Sequence, residues 1–429
     1  MVVDRSDKNR FGDTCWRLLG SVYAKQLGAW QTKIRRCRVG VLKLELHNVS
    51  KKVGAETHLY PLELTLSSGL NVLLGPTLAG KTSLLRLLAG LDRPTTGRVL
   101  LDAKDVTGVR VQKRSVAFVY QQFINYPSLT VFENIASPLR VRGGFSRAQI
   151  EERVQGAAAT MRIEPFLQRL PDQLSGGQQQ RTAIARALVK EADILLMDEP
   201  LVNLDYKLRE ELRLEMRSIF ASRDAIVVYA TTEPYEALLL GGTVSVLDQG
   251  RVLQSGPTLG VYHRPVSQRV GEVFSDPPMN LLTATVEGDQ LRLFGVSCSL
   301  PPHMQTLAPG PYRLGLRAGH AGLSRAAADT SAFTDAAVEV PATVELAEIS
   351  GSETFVHLGV SPGASAETRP SAASGDGLVP THVVAQLSGV HPFSAGQNVT
   401  LQLNPKRLFA FDPAGTLAAA PERGVAAGA

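Results

Sequence analysis

The sequence predicts an α/β core built on a parallel sheet, followed by a smaller all-β domain. Three observations carry this expectation. A glycine-rich loop joins an apolar strand stub to a helical pattern, a second apolar run ends in two carboxylates, and the texture changes after about residue 275.

Taken in order, Leu42, Leu44 and Leu46 alternate with Lys43, Glu45 and His47, the period of a half-buried strand. Asn71-Val72-Leu73-Leu74 is an apolar strand stub, and residues 81–88 repeat apolar side chains at helical spacing. Thr96-Gly97 leads into a further strand at Arg98-Val-Leu-Leu, and the short strand 115–120 presents Gln121 at its end. Residues 147–168 read as a helix capped by Ser146, and Gly176-Gly177 open another that runs through Leu188. The helix at 206–220 alternates Glu and Arg, with most of that face solvated, and 243–254 reads as a hairpin around Gln249-Gly250. Strands alternating with helices argue for an α/β core. After residue 275 the apolar runs 282–286, 312–317, 338–346 and 399–403 are spaced by Gly and Pro without helical periodicity, the pattern of a small β-barrel.

Residues 75–83 read Gly-Pro-Thr-Leu-Ala-Gly-Lys-Thr-Ser and fit the phosphate-cradling pattern G-x-x-x-x-G-K-[ST]. Gly75 and Gly80 permit backbone conformations that a side chain blocks, so successive N–H groups converge on phosphate oxygens at a helix N-terminus. Lys81 is placed to reach the β- and γ-phosphates, and Thr82 to take one Mg²⁺ position. An accidental glycine-rich turn is the competing reading of this motif alone. The run Asp193-Ile-Leu-Leu-Met-Asp198-Glu199-Pro200 weighs against it. A buried strand delivers its last side chains to the ligand edge of a parallel sheet. Asp198 there would hold Mg²⁺ through water and Glu199 would polarise the attacking water as general base; a solvated helix cap is the bland alternative.

The order 75–83, Gln121, 174–178 (Leu-Ser-Gly-Gly-Gln), Asp198-Glu199 and Leu204-Asp205 resembles the ABC transporter ATPases over residues 41–260. The stretch Val-Tyr-Gln-Gln-Phe-Ile-Asn-Tyr-Pro-Ser-Leu-Thr-Val at 119–131 is similar to their carbohydrate-uptake branch, which includes maltose and glycerol-3-phosphate importers. GPTLAGKTS, YQQFINYPSLTV and YATTEP resemble its glycerol-importer subgroup, which uses two different ATPase subunits. The resemblance implies a P-loop NTPase cassette at 41–275 that binds ATP and Mg²⁺. Residues 122–173 become a helical subdomain gripping a permease, and 276–413 an OB-like β-barrel regulatory domain. Gly75, Pro76, Thr77, Leu78, Ala79, Gly80, Lys81, Thr82 and Ser83 become the phosphate loop, and Gln121 the sensor of Mg²⁺ and attacking water. Ser175, Gly176, Gly177 and Gln178 complete the other subunit's ATP site across a head-to-tail dimer. Asp205 joins the loop that couples the two sites.

Three positions depart from the family pattern. Thr232 follows Val227-Val-Tyr-Ala-Thr231 where the family carries a switch histidine, and threonine offers a short hydroxyl without positive charge. Leu78 stands where the loop usually has glycine, at little cost unless a positive φ is required. Val53 stands where an aromatic ring stacks on adenine.

Composition bounds the alternatives. The chain has 429 residues and a formal net charge of +5, enough length for two or three domains. The basicity is local: residues 1–40 hold nine Lys/Arg and three Asp, leaving 36 basic against 37 acidic residues. A neutral body argues against nucleic-acid binding. Cys15, Cys37 and Cys298 show neither metal-ligand spacing nor a disulfide framework, which fits a reducing compartment. No run reaches the roughly 18 consecutive apolar residues that span a bilayer. The basic stretch 1–40, with Trp16 and Trp30, reads either as an overextended gene start or as a segment touching anionic lipid. Residues 361–380 read as a flexible loop and 414–429 as a disordered tail.

The expectation is an ATP-hydrolysing subunit at the cytoplasmic face of a bacterial inner membrane, energising uptake of a carbohydrate or polyol, with glycerol or glycerol phosphate as the cargo. Its partners are transmembrane permease subunits, a second ABC ATPase in a homodimer or heterodimer, and indirectly a periplasmic substrate-binding protein. The alternative is a hydrolysis-poor ATP-binding and regulatory partner in a heterodimer. A soluble cassette ATPase acting on DNA or ribosomes lacks its expected second cassette or long coiled coil.

Overall fold

The structure, a computed structural model, describes residues 41–202, 206–221, 224–324, 338–360 and 381–422. The expectations placed on residues 1–40, on Asp205 and on the loop 361–380 fall outside the described residues.

In chain order the first part runs β1 (Lys43–Val53), β2 (Glu56–Ser67), β3 (Gly69–Leu74), α1 (Lys81–Ala89), β4 (Thr96–Leu101), β5 (Lys104–Asp105) and β6 (Val116–Val119). It continues with α2 (Val131–Arg142), α3 (Arg147–Thr160), α4 (Gly176–Val189), β7 (Ile194–Asp198), α5 (Tyr206–Ala221), β8 (Ile226–Thr231) and α6 (Pro234–Leu240). It closes with β9 (Thr243–Asp248), β10 (Arg251–Pro257), α7 (Thr258–His263) and α8 (Gln268–Val273).

These strands make two sheets. One is antiparallel in the order β2-β1-β4-β5; the other has the order β10-β9-β3-β8-β7-β6. In the second, β9, β3, β8, β7 and β6 are parallel and β10 is an antiparallel edge. Every residue of β7 and β8 is buried, because helices cover both faces of a parallel sheet. That is why these strands read as unbroken apolar runs. Leu74, Ile135, Leu188, Leu195, Phe220 and Tyr229 share one core, and each such side chain stabilises by about 1.5–3 kcal/mol on burial.

Helix boundaries follow local chemistry. Thr130 with Glu133, Ser146 with Gln149, and Ser175 with Gln178 each form a capping box that opens α2, α3 and α4. The expected helix at 147–168 stops at Thr160. Arg162 takes a left-handed φ of 51° and Pro165 lacks the amide that a continuing helix needs.

Beyond α8 the described chain is strands and short 3₁₀ turns: β11 (Asn280–Glu287), β12 (Gln290–Leu293), β13 (Val296–Ser299), β14 (Gly310–Leu316), β15 (Ala321–Ser324) and β16 (Val338–Ile349). Then come β17 (Glu353–Val360), β18 (Thr381–Ser388), β19 (Asn398–Leu403), β20 (Phe409–Phe411) and β21 (Leu417–Ala419). Two antiparallel sheets, β13-β12-β11-β14-β20-β21 and β15-β19-β16-β17-β18, share one core that includes Leu282, Leu314, Val340, Val356 and Leu401. Strands β11 and β17 alternate buried and less buried residues along their length, the period-two pattern of a sheet with one face inward.

The reading of 414–429 as disordered needs correction for its first part. Residues 417–419 form β21 against β20, Thr416 bridges Ser267, and Leu417 N–H donates to Val266 O at 3.0 Å. Composition alone suggested disorder, whereas the unpaired edge of β20 supplies partners. Arg317 ties the β domain to the preceding helices. Its guanidinium donates to Phe274 O (2.9 Å), Ser275 Oγ (2.7 Å) and Tyr262 O (2.8 Å) and lies 3.6 Å from the Tyr262 ring centroid. Burial lowers its pKa to about 10.

Candidate nucleotide site

The carboxyl ends of β3, β6, β7 and β8 meet at one edge of the parallel sheet, where ligands of such sheets bind. Gly75 begins the loop after β3; its N–H donates to Thr231 O at 3.3 Å, and a Cβ there would stand 2.3 Å from Leu247 O. Only glycine fits that approach. Ala79 N–H returns to Pro76 O at 3.1 Å to close the turn through Thr77 and Leu78. Gly80, with φ of 98°, caps α1, and Leu78 takes φ of 68° with 94% of its surface exposed. The substitution of leucine for glycine therefore falls at a position that does adopt positive φ, and costs about 1–2 kcal/mol.

Lys81 is the first residue of α1 and 5% exposed. Its Nζ donates to Gly75 O (2.7 Å) and Pro76 O (3.0 Å) and lies 3.2 Å from Glu199 Oε1. Gln121, just past β6, donates from Nε2 to Glu199 Oε2 at 3.2 Å. Glu199 itself follows β7, with its N–H on Ala230 O at 3.0 Å and a φ of 45°. Asp198 is 4% exposed. Burial raises its pKa and Glu199 adds to the rise, while the Thr82 hydroxyl and Lys81 oppose it. One edge thus gathers Lys81, Thr82, Gln121, Asp198 and Glu199. A buried carboxylate held by a hydroxyl, beside a second carboxylate, is a donor set that suits a hard divalent cation. The described residues contain no cluster of three or more His, Cys, Asp or Glu side chains that would hold a metal by themselves.

The other candidates lie apart from this group or at its margin. Thr232 follows β8 and is half-buried, beside Thr231, whose carbonyl holds Gly75. Val53 ends β1, pairs with Glu56 and is 51% exposed, so it presents no ring to a base. Ser175 and Gly176 are exposed at the start of α4, with Gly177 and Gln178 half-buried behind them. Ser175 N–H donates to Gln178 Oε1 at 3.1 Å. Ser83 contacts His58 Nδ1 at 3.2 Å.

Two features escaped the sequence reading. His58 sits against the phosphate loop, its carbonyl 3.0 Å from where a Cβ on Gly80 would stand; nothing in its sequence context marks it. The second is a charged cluster behind the end of β8. Arg213 is 3% exposed rather than solvated, and contacts Glu236, Glu233 and Glu210. Only the spacing of Arg209 and Arg213, one helical turn apart, hinted at a shared face.

A family profile described as ABC transporter matches residues 59–202. The sn-glycerol-3-phosphate import ATP-binding protein UgpC of Salmonella typhi is 37% identical over 319 residues, 73% of this chain and 87% of that protein. The Fe(3+) ions import ATP-binding protein FbpC of Escherichia coli is 37% identical over 268 residues, 62% of this chain and 76% of that protein. A dimeric post-hydrolysis structure of the ATP-binding cassette MJ0796 with ADP and phosphate is 31% identical, with a TM-score of 0.46, covering 50% of this chain and 98% of that one. The structure of cbiO1 from Clostridium perfringens is 25% identical, with a TM-score of 0.47, covering 51% and 90%.

The chain belongs to the ATP-binding subunits of ABC transporters. Within that family it is an ATP-hydrolysing subunit of an importer in the carbohydrate and polyol branch, its hydrolysis coupled to transport. Among the described residues no helix is long and apolar enough to cross a membrane.

Proposed function

We propose that this chain energises uptake of a glycerol-type solute, sn-glycerol 3-phosphate or glycerol, from the cytoplasmic face of a bacterial inner membrane. The convergence of Lys81 and Gln121 on Glu199 is the observation that carries the hydrolytic part of this reading. Lys81 and the loop N–H groups bind the triphosphate, and Glu199 takes the proton of the attacking water while Gln121 orients it. Mg²⁺, held by Thr82, Gln121 and, through water, Asp198, would neutralise charge on the phosphate oxygens. The start of α4, Ser175-Gly176-Gly177-Gln178, completes the site of a second ATPase subunit in a head-to-tail dimer, with Asp205 in the loop between the two sites. Residues 122–173 engage the transmembrane permease, which receives solute from a periplasmic binding protein. The division falls near residue 275, and the OB-like reading of residues 276–413 makes that domain regulatory.

The cargo rests on relatives alone. FbpC and UgpC match this chain at the same identity, yet one name specifies a ferric ion and the other a phosphate ester; ATPase subunits do not hold the solute. The decisive experiment purifies the membrane complex through a tag on this chain, reconstitutes it in liposomes with its binding protein, and measures ATP hydrolysis with sn-glycerol 3-phosphate, glycerol, maltose and ferric ion. Stimulation by the first or second alone supports the proposal, and stimulation by either of the others replaces it.

Thr232 supports a second reading, that of a hydrolysis-poor partner in a heterodimer. The native mass of the same complex decides it. One copy beside a different ATPase makes the two sites unequal, and two copies put Thr232 in both. Full transport with Glu199→Gln in this chain alone would favour the binding role.

A further inference from the structure

The segment that carries Thr232 is held by a buried cluster whose centre, the Glu236–Arg213 pair, lies outside every motif of the family reading. Glu236, on α6, has a carboxylate only about 5% exposed. One oxygen accepts from Arg213 Nε (3.1 Å) and Nη2 (3.0 Å). The other accepts from the Tyr229 hydroxyl (3.1 Å) and the Thr231 hydroxyl (2.6 Å). Burial and the neighbouring Glu236 push the Tyr229 phenol well above its usual range, so that it remains a donor. The carboxylate is thus fully satisfied, as a buried charge must be.

Thr231 is the pivot. Its hydroxyl binds Glu236 and accepts the Glu233 N–H at 3.0 Å, while its carbonyl accepts the Gly75 N–H at 3.3 Å. Thr232 lies between these two anchored residues. Glu233 in turn accepts from Arg209 Nη1 at 2.8 Å, and Arg209 Nη2 donates to Val202 O at 3.1 Å. Val202 N–H contacts Glu199 O at 3.4 Å. The cluster therefore spans from the phosphate loop, through the Thr232 segment, to the turn that carries Glu199.

We infer that Glu236 is a positioning residue for ATP hydrolysis: through Thr231 it fixes the Thr232-Glu233 segment against both the phosphate loop and the Glu199 turn. This rests on the reading of Thr232 as the switch position. A threonine hydroxyl is shorter than an imidazole, so its reach leaves less room for error in the backbone that carries it. A hydrogen-bonded carboxylate beneath that backbone supplies the fixed geometry.

The test uses the reconstituted transporter complex with E236Q, T231V, T232A and E236Q/T232A. E236Q lowers kcat about tenfold with KM for ATP and the Kd of a fluorescent ATP analogue unchanged. T231V, which removes only the hydroxyl bridge, reproduces most of that loss and decides the matter if E236Q does not fold. In the T232A background E236Q has little further effect, because both act on one segment. A kcat within twofold of wild type for folded E236Q, or for T231V where E236Q does not fold, overturns the inference, as does a parallel loss of ATP binding, which marks general destabilisation. An unchanged kcat for T232A alone overturns instead the switch reading beneath it.

Discussion

Lys81 Nζ and Glu199 Oε1 stand 3.2 Å apart in a site where the two side chains are 5% and 14% exposed. The two charges thus neutralise each other, and under the proposed roles of Lys81 on phosphate and Glu199 on water a triphosphate has to displace one from the other. Glu199→Gln removes that competition and the base together. ATP binding tightens severalfold, about 1 kcal/mol, while hydrolysis falls at least roughly 100-fold. Titration with a fluorescent ATP analogue and phosphate release read the two effects, and weaker ATP binding in the variant would refute the competition.

Leu78→Gly releases a strained backbone at a side chain that is 94% exposed. Relief of about 1–2 kcal/mol is partly offset by the greater chain entropy of glycine, leaving a gain of about 0.5–1 kcal/mol. Thermal unfolding of the isolated chain reads it as a rise of one to a few degrees, on the order expected for such a gain. A fall would mean that the leucine makes contacts worth more than its strain.

Val53→Tyr restores a stacking face at the end of β1. ATP affinity rises about threefold to tenfold, the worth of one aromatic contact, while inhibition by inorganic tripolyphosphate stays unchanged because no base is involved. Equal gains for both ligands would place residue 53 away from adenine.

Acid sensitivity has a source in the β domain. Burial, reinforced by Arg407 and Arg317, lowers the His320 pKa to about 4. Below pH 6.5 the unfolded chain takes up a proton that the folded chain refuses, so stability present above pH 6.5 is lost as pH falls toward 4. The loss is roughly 3 kcal/mol. His320→Asn flattens that part of the stability curve in chemical denaturation at pH 7, 6, 5 and 4; an unaltered slope would show that other groups set it.

Much of the site is local in sequence and therefore legible there. Gly75 to Ser83, the strand ending in Asp198-Glu199, and the cap at Ser175 each lie within a dozen residues, where spacing carries the geometry. What was hidden depends on distance along the chain. Arg213 reads as one more charge on a solvated helix until Glu236 arrives from α6, twenty-three residues later. Leu78 differs from glycine in a letter, but only the backbone shows that the position takes φ of 68°. Strand β21 is alanine-rich and looks like tail; it becomes a strand because β20 has an open edge.

That closing strand has a consequence for the order of synthesis. The sheets of the nucleotide-binding part are complete once Pro257 has emerged, and its core needs nothing beyond Phe274. The first sheet of the β domain is complete only when Leu417–Ala419 pair with β20 and Thr416 with Ser267. A nascent chain therefore holds a finished ATPase fold while the residues from Asn280 to Ala419 follow it out of the ribosome. Until β16 to β19 have emerged, the inward apolar faces of β11 and β14 lack the opposing sheet that covers them, and the translation rate over this stretch sets how long they remain open to aggregation.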